Sequence, residues 1–196
     1  CRPQTAAEAA SAYSGLAAEG KTALYYAGGS EIITMCRAGS IRPDAVIDLK
    51  DIAECNQLAK DADSLIIGAA CSLSRIKDSR LFPLLSLCCG RIADHSNQCR
   101  ITLGGNLCGS IIYRETVLPL LLAGAELDLC GPEGVRSLPI EAVFPGRMQL
   151  KAGEFILCAR LPLWATIARH AHIKRAAAEK IDYPLLTVAA LEKEGA

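Results

Sequence analysis

Two short stretches carry residues whose type and spacing can do chemistry: Tyr25 to Ile33, YYAGGSEII, and Thr102 to Leu107, TLGGNL. In the first, an apolar run from Thr22 to Ala27 breaks into Gly28-Gly29 and then into helix-forming residues from about Glu31. A strand that passes through glycines into a helix start leaves backbone N–H groups pointing outward with no carbonyl partner. Glycine lets a ligand approach the main chain and permits positive φ. The chemistry on offer is a cradle for a phosphate or pyrophosphate. No Lys follows Gly29 as a P-loop requires, and no G-x-G-x-x-G occurs, so the nucleotide-triphosphatase and Rossmann signatures are both absent. Taken singly, a glycine pair of this kind reads as a tight turn.

Other reactive side chains are less organised. The ten cysteines are scattered singly through apolar patterns, as small buried hydrophobes are, apart from Cys88-Cys89. That adjacent pair cannot grip one tetrahedral metal, and neither C-x-x-C nor a plant-type iron–sulfur spacing is present. Free thiols in a reducing cytoplasm are expected. His95, His170 and His172 lack partners at ligand spacing and read as surface histidines. Tyr25 and Tyr26 read as strand core, with Tyr183 a candidate for stacking on a planar ligand. No acid–base pair and no activated nucleophile is found, and no catalytic or metal-ligating residue is assigned.

The elements that must position the glycine pairs follow from periodicity. Thr5 with Glu8 forms a capping box for a helix running to Ala18. Strand Thr22–Ala27, a helix to about Ala38 and strand Ala45–Leu49 then make a βαβ unit, with its ligand end at the strands' carboxyl ends. A buried strand over Ser64–Ala69, a helical turn at Ser72–Asp78 and a helix over Phe82–Ser96 lead to the second glycine pair. Beyond it come a helix over Glu115–Gly124 and a hairpin of Leu127–Cys130 with Val135–Leu138. Strand Phe155–Leu161 follows, and then two strands around Ala176–Pro184.

Charge and hydropathy exclude some classes. The 196 residues carry 21 basic and 21 acidic side chains, so the electrostatic case for nucleic acid or an anionic membrane is missing. The apolar runs Thr116–Ala125 and Val188–Leu191 are too short to span a bilayer. The opening at Cys1 without Met, and the ending on Lys193-Glu194-Gly195-Ala196, which reads as a hairpin turn lacking its return strand, predict a piece of a longer protein.

Read in order, the pieces resemble a known family. AGGSEI at Ala27–Ile32, RPDAVIDL at Arg42–Leu49, LIIGA at Leu65–Ala69 and TLGGN at Thr102–Asn106 come first. LPLLLAGAELDL at Leu118–Leu129, GEFI and RLP between Gly153 and Pro162, and Lys174 through Asp182-Tyr183 complete the set. This order resembles the FAD-binding subunit of molybdenum hydroxylases, the xanthine dehydrogenase and carbon monoxide dehydrogenase medium-subunit type.

The resemblance implies an α+β fold of the vanillyl-alcohol-oxidase/PCMH-like type. Its parts would be a small α/β subdomain over 1–52, a larger mixed subdomain over 53–162 and the incomplete start of a C-terminal flavoprotein domain over 163–196. It implies that Ala27, Gly28, Gly29, Ser30, Glu31 and Ile32 form one FAD loop and Thr102, Gly104, Gly105 and Asn106 a second. Both loops would hold the pyrophosphate through main-chain amides. Glu115 stands where the family has an Asp near the ribityl or adenosine part, Ile156 and Leu157 would be apolar wall, and Lys174 and Asp182 would lie near the flavin. On its own residues, Lys174 reads as a solvated strand residue and Glu115 as a helix cap. The sequence departs from the family pattern at Asn97-Gln98-Cys99-Arg100 and between Cys108 and Arg114, which affects the contacts of Ser110 and Glu115.

The implied function is electron transfer in a cytoplasmic hetero-oligomeric oxidoreductase. A molybdopterin-binding large subunit and a 2Fe-2S small subunit would be partners carrying those cofactors, and FAD on this chain would pass electrons to NAD or another acceptor. Two other readings compete: a non-catalytic nucleotide-binding or scaffold protein of the same fold, and a free-standing flavoprotein oxidase, for which Cys36 is the nearest candidate for a covalent anchor although the sequence around it does not resemble that pattern.

Overall fold

In the computed structural model, which describes residues 1–111, 113–177 and 182–193, local chemistry sets the first elements. Thr5 Oγ1 accepts from the Glu8 N–H at 3.2 Å and the Glu8 carboxylate accepts from the Gln4 N–H at 2.8 Å, starting α1 (Ala6–Ala18). Gly20, at φ 73°, turns the chain toward β1 (Ala23–Tyr26). Gly29, left-handed at the same φ, caps α2 (Ser30–Arg37). β2 (Ala45–Asp48) returns parallel to β1, with Tyr25 opposite Ile47. The first glycine pair therefore stands at the carboxyl end of two parallel strands, where open α/β units bind ligands.

The middle of the chain is more broken than its apolar pattern suggests. α3 (Ala53–Asn56) and β3 (Leu58–Lys60) are too short to show a period, and β4 (Ser64–Gly68) and α4 (Leu73–Ser79) follow. The helix expected over Phe82–Ser96 is two helices. α5 (Pro83–Cys89) stops at Gly90, Ala93 is left-handed at φ 52°, and Asp94 caps α6 (His95–Gln98). The buried Gln98 amide donates to the carbonyls of Gly90, Ile92 and Ala93 at 3.3, 3.0 and 3.2 Å, satisfying groups that the interruption leaves open. Thr102 caps α7 (Leu103–Cys108), so TLGGN is a helix start rather than a free turn.

α8 (Val117–Ala123) carries Pro119 in its first turn, where no intrahelical bond is lost. β5 (Glu126–Gly131) and β6 (Gly134–Pro139) form a hairpin about Pro132-Glu133, and α9 (Ile140–Val143) leads to β7 (Phe155–Pro162). A 3-10 turn over Leu163–Thr166 connects to β8 (His170–Ala176) and its antiparallel partner β9 (Pro184–Leu191). Ile112, residues 178–181 of the expected hairpin tip and residues 194–196 of the expected final turn lie outside the described residues.

A five-stranded antiparallel sheet, ordered β3-β4-β7-β5-β6, organises the packing. Its central strand β7 is buried on both faces. Phe155 and Leu157 pack with Ala6, Ala9, Ala10 and Ile47, while Ile156, Ala159 and Leu161 pack with Leu84, Leu103 and Leu120. Each fully buried Leu or Ile contributes about 1.5–3 kcal/mol. The β8–β9 hairpin lies on α5 and α8, with Ala189 and Leu191 turned toward the second core. The cysteines are free thiols, and among the described residues no helix is long and apolar enough to cross a membrane and no cluster could hold a metal.

Candidate functional site

The first glycine loop is held from beneath by aromatic rings. Tyr25 stacks on Tyr13 at 5.5 Å between centroids, tilts against Phe155 at 4.5 Å and donates its phenol to the Gly153 carbonyl at 2.8 Å. Burial pushes its pKa well up, so it stays a neutral donor. Tyr26 fills the space beside Gly29, where any Cβ would overlap its ring. The Lys50 ammonium sits 4.5 Å over that ring and bonds Asp48 at 2.8 Å and the Ala27 carbonyl at 3.3 Å.

Above this base the main chain is unsatisfied. The first bond of α2 runs from the Ile33 N–H to the Gly29 carbonyl at 2.9 Å, and among the described residues the N–H groups of Gly28, Gly29, Ser30, Glu31 and Ile32 have no acceptor. The hydroxyl of Ser30 is buried beside them without a hydrogen-bond partner. A row of amide donors, a helix start and an orphaned hydroxyl suit an anion of the phosphate type.

The second glycine loop packs directly on the first. A Cβ on Gly28 would overlap the Arg100 carbonyl, just before the Thr102 cap. The Glu31 carboxylate accepts from the Ser110 N–H at 2.6 Å and from the Ser110 hydroxyl, just after α7. The expected second row of free amides is not there. The N–H groups of Leu103, Gly104, Gly105 and Asn106 donate to Cys71 O, Ala69 O, Thr102 Oγ1 and Thr102 O at 3.0, 2.8, 3.2 and 2.9 Å. What this loop presents is a bare glycine surface: Gly105 is exposed, and a Cβ there would meet only Thr102 Oγ1, at 3.0 Å. Asn106 turns its Oδ1 inward to the Thr116 hydroxyl at 2.6 Å, fixing the start of α8.

Glu115 and Lys174, expected separately near a ligand, meet each other. Lys174 Nζ lies 2.8 Å from Glu115 Oε1 and donates to the Arg91 carbonyl at 2.8 Å, with side chains 8% and 6% exposed. Lys174 is therefore not solvated, and the Glu115 carboxylate bonds Lys174 and Thr187 rather than a helix N–H. The Cys88 thiol donates to the Glu115 carbonyl at 3.1 Å, and burial, then the nearby carboxylate, pushes its pKa up. His172, expected at the surface, is buried. Arg91 Nη1 lies 2.8 Å from its Nδ1 and 2.7 Å from its carbonyl, and its Nε2 has no partner. Burial first, then the Arg91 and Lys174 charges, hold its pKa below the ordinary histidine value.

Ile156 and Leu157 are 3% and 5% exposed within the two cores, so they do not form the expected apolar wall. Apolar surface beside Glu115 comes instead from a groove lined by Tyr113, Val117, Leu118, Phe144, Pro184 and Leu185. Tyr113 stacks on Tyr183 at 4.3 Å, and Asp182 accepts from the Tyr183 N–H at 2.7 Å. The aromatic character of this pair is readable in the sequence, but nothing there signals that Tyr113 lines a groove.

Comparison with known proteins fits this geometry. A family model described as the FAD binding domain in molybdopterin dehydrogenase matches residues 1–164. The xanthine dehydrogenase FAD-binding subunit of Escherichia coli O157:H7 is 30% identical over 155 residues, 75% of this chain and 53% of that protein. Caffeine dehydrogenase subunit beta of Pseudomonas sp. (strain CBB1) is 30% identical over 145 residues, covering 70% and 49%. This chain thus spans about half the length of these curated relatives. Among solved structures, quinoline 2-oxidoreductase from Pseudomonas putida 86 superposes with a TM-score of 0.86 at 23% identity, over 97% of this chain and 66% of that one. Carbon monoxide dehydrogenase from Hydrogenophaga pseudoflava gives 0.88 at 22% identity, over 100% and 69%, and both likenesses speak for the shared α+β fold. With the family model matching 164 of 196 residues, the chain belongs to the family of FAD-binding domains of molybdopterin dehydrogenases.

Proposed function

We propose that this chain is the flavin-holding part of an electron-transfer subunit in a molybdopterin-dependent, xanthine dehydrogenase-like oxidoreductase. In that reading 1–52 and 53–162 are the two FAD-binding subdomains and 163–196 begins a C-terminal domain. Electrons arrive from 2Fe-2S clusters on a small subunit, after oxidation of substrate on a molybdopterin-binding large subunit, and leave to NAD or another acceptor. The observation that carries this is the meeting of two distant glycine loops at Gly28 and Arg100, with the unpaired donors of Gly28 to Ile32 and the orphaned Ser30 hydroxyl at the junction.

The residues fit FAD at its pyrophosphate. The N–H groups of Gly28, Gly29, Ser30, Glu31 and Ile32 would bind the phosphate oxygens, and Ser30 Oγ would donate a further bond. Gly105 would let the ligand lie flat against α7, and Lys50 would add positive charge beside Ala27. The groove between Tyr113 and Leu185, with Glu115 in its lining and Lys174 paired to that carboxylate, would take a less polar part of the molecule and exclude water from it, and Asp182 would lie near the flavin. When bound, the flavin supplies the redox chemistry, accepting and releasing electrons singly or in pairs. Exposed apolar residues on the outer face of the hairpin, Ile173 at 53% and Val188 at 48%, support burial in a larger assembly.

The test is purification of the complete subunit with its partners. Stoichiometric FAD, a chain carrying iron–sulfur clusters and a chain containing molybdenum are expected, and NAD⁺ should reoxidise the substrate-reduced flavin. A complete subunit that neither retains FAD nor binds it on titration overturns the reading.

A further inference from the structure

We propose that Glu31 is a positioning residue, a clasp that fixes the separation of the two glycine loops and thereby aims the amide row of α2. The inference rests on the flavin-cradle reading above and deepens it. A carboxylate in the first turn of a helix is stabilised by the N-terminal dipole, but it would also compete with a phosphate for that same positive end. Here it is turned away from the cradle. Its Oε1 accepts from the Ser110 N–H at 2.6 Å and from the Ser110 hydroxyl, although the two residues lie 79 positions apart. Met35, one turn along α2, brings its sulfur to 3.7 Å from the same hydroxyl. Gly109 leaves the room this requires, since a Cβ there would lie 2.6 Å from Glu31 Oε2.

The placement of the clasp gives it leverage. Arg100, whose carbonyl fits against Gly28, precedes α7, while Ser110 follows it. Gly109 donates its N–H to Gly105 O at 3.0 Å, so a hold on Ser110 is also a hold on the exposed Gly105. Two contacts, one at each end of α7, set both the distance and the tilt between Gly105 and the donors of Gly28 to Ile32. Without the Glu31 contact, the Gly28 hinge and the longer Met35 sulfur contact carry the separation. Two donors on one carboxylate oxygen also tie up its charge, which keeps that charge from opposing an anionic ligand.

Glu31→Ala and Glu31→Gln separate this role from direct ligand contact. Gln keeps an acceptor oxygen for Ser110, whereas Ala removes it. FAD binding to the complete subunit is measured by flavin fluorescence, and hydrogen exchange over residues 103–110 is measured without ligand. Glu31→Ala should weaken FAD binding about tenfold, the scale of losing one charge-assisted hydrogen bond, and speed exchange over that segment. Glu31→Gln should stay within about threefold of the parent, which is inside the spread of a single neutral hydrogen bond. Unchanged exchange in Glu31→Ala, or FAD binding tighter than the parent in Glu31→Gln, overturns the proposal; the latter would mean that the carboxylate faces the ligand. If the parent itself binds no FAD, the cradle reading fails, while the exchange comparison still decides whether the clasp exists.

Discussion

Lys174 Nζ and Glu115 Oε1 stand 2.8 Å apart in a buried ion pair that spans 59 positions and pins β8 to the start of α8. Attraction at this depth offsets two desolvation penalties, and removing one partner leaves the other charge stranded. Glu115→Leu or Lys174→Met should each destabilise the fold by about 3–5 kcal/mol. The double variant Glu115→Leu with Lys174→Met should lose less than the two single variants together, because no charge is left alone. Denaturant unfolding of the four proteins measures this. Additive losses would mean that the two charges do not depend on one another.

The same hairpin carries a pH dependence. Arg91 donates to Nδ1 of His172, so a proton on that nitrogen would meet an N–H head-on. The charged groups around the ring are the Arg91 guanidinium beyond the end of α5 and the Lys174 ammonium on β8, itself paired with Glu115. Because the folded pKa is depressed, the unfolded chain takes up the proton first. The stability contributed by neutral His172 is complete above the ordinary value of 6.5 and is lost as pH falls toward the folded pKa. Melting temperature should therefore drop more between about pH 7.5 and pH 5, which bracket that value, in the parent than in His172→Asn. Asn keeps an acceptor for Arg91 without titrating. Parallel pH profiles would dismiss the histidine as the source.

The two glycine pairs should fail in different ways. At Gly28 a Cβ meets the Arg100 carbonyl, a backbone atom that cannot swing aside. Gly28→Ala should thus destabilise the fold by about 1–3 kcal/mol, the usual range for overpacking. Gly105→Ala meets only the Thr102 hydroxyl at 3.0 Å and gains helix propensity of about 0.5–1 kcal/mol, so its stability should be close to the parent's. FAD retention should still fall, because the methyl stands on the open surface facing the cradle. A Gly105→Ala protein with full flavin occupancy would remove α7 from the binding surface.

These relations mark how far the sequence reaches. The first loop is legible because its signals are local: Tyr25, two glycines and a helix start within one stretch. Pairing of β1 with β2 follows from the same unit. The second loop is legible as a motif but not as chemistry. Two of its four amides turn back to Thr102, but the acceptors of the other two, Cys71 O and Ala69 O, lie more than about thirty residues earlier, just past the end of β4. The break between α5 and α6 is invisible in the apolar pattern, since Leu84, Leu85, Cys88 and Ile92 keep a helical spacing while α5 ends at Gly90 and the left-handed Ala93 redirects the chain. Nothing near Lys174 predicts a partner at Glu115, and nothing near His172 predicts Arg91. Long-range pairing of charged groups leaves no periodic trace.

Ser30 should separate fold stability from ligand affinity. Its hydroxyl is buried without a partner, an arrangement that ordinarily lowers stability by about 1–3 kcal/mol relative to a satisfied group. Its carbonyl accepts from the Thr34 hydroxyl at 2.8 Å. Ser30→Ala removes the orphaned oxygen and leaves that bond in place, so the ligand-free protein should be as stable as the parent or more so by up to about 1 kcal/mol. FAD binding should move the other way and weaken about tenfold, since the hydroxyl's donor finds its acceptor only when an anion fills the cradle. Opposite signs in the two measurements are the signature of a group held unsatisfied for a ligand. If Ser30→Ala destabilises the ligand-free protein and leaves flavin affinity unchanged, the hydroxyl has a structural role and the anion site lies elsewhere.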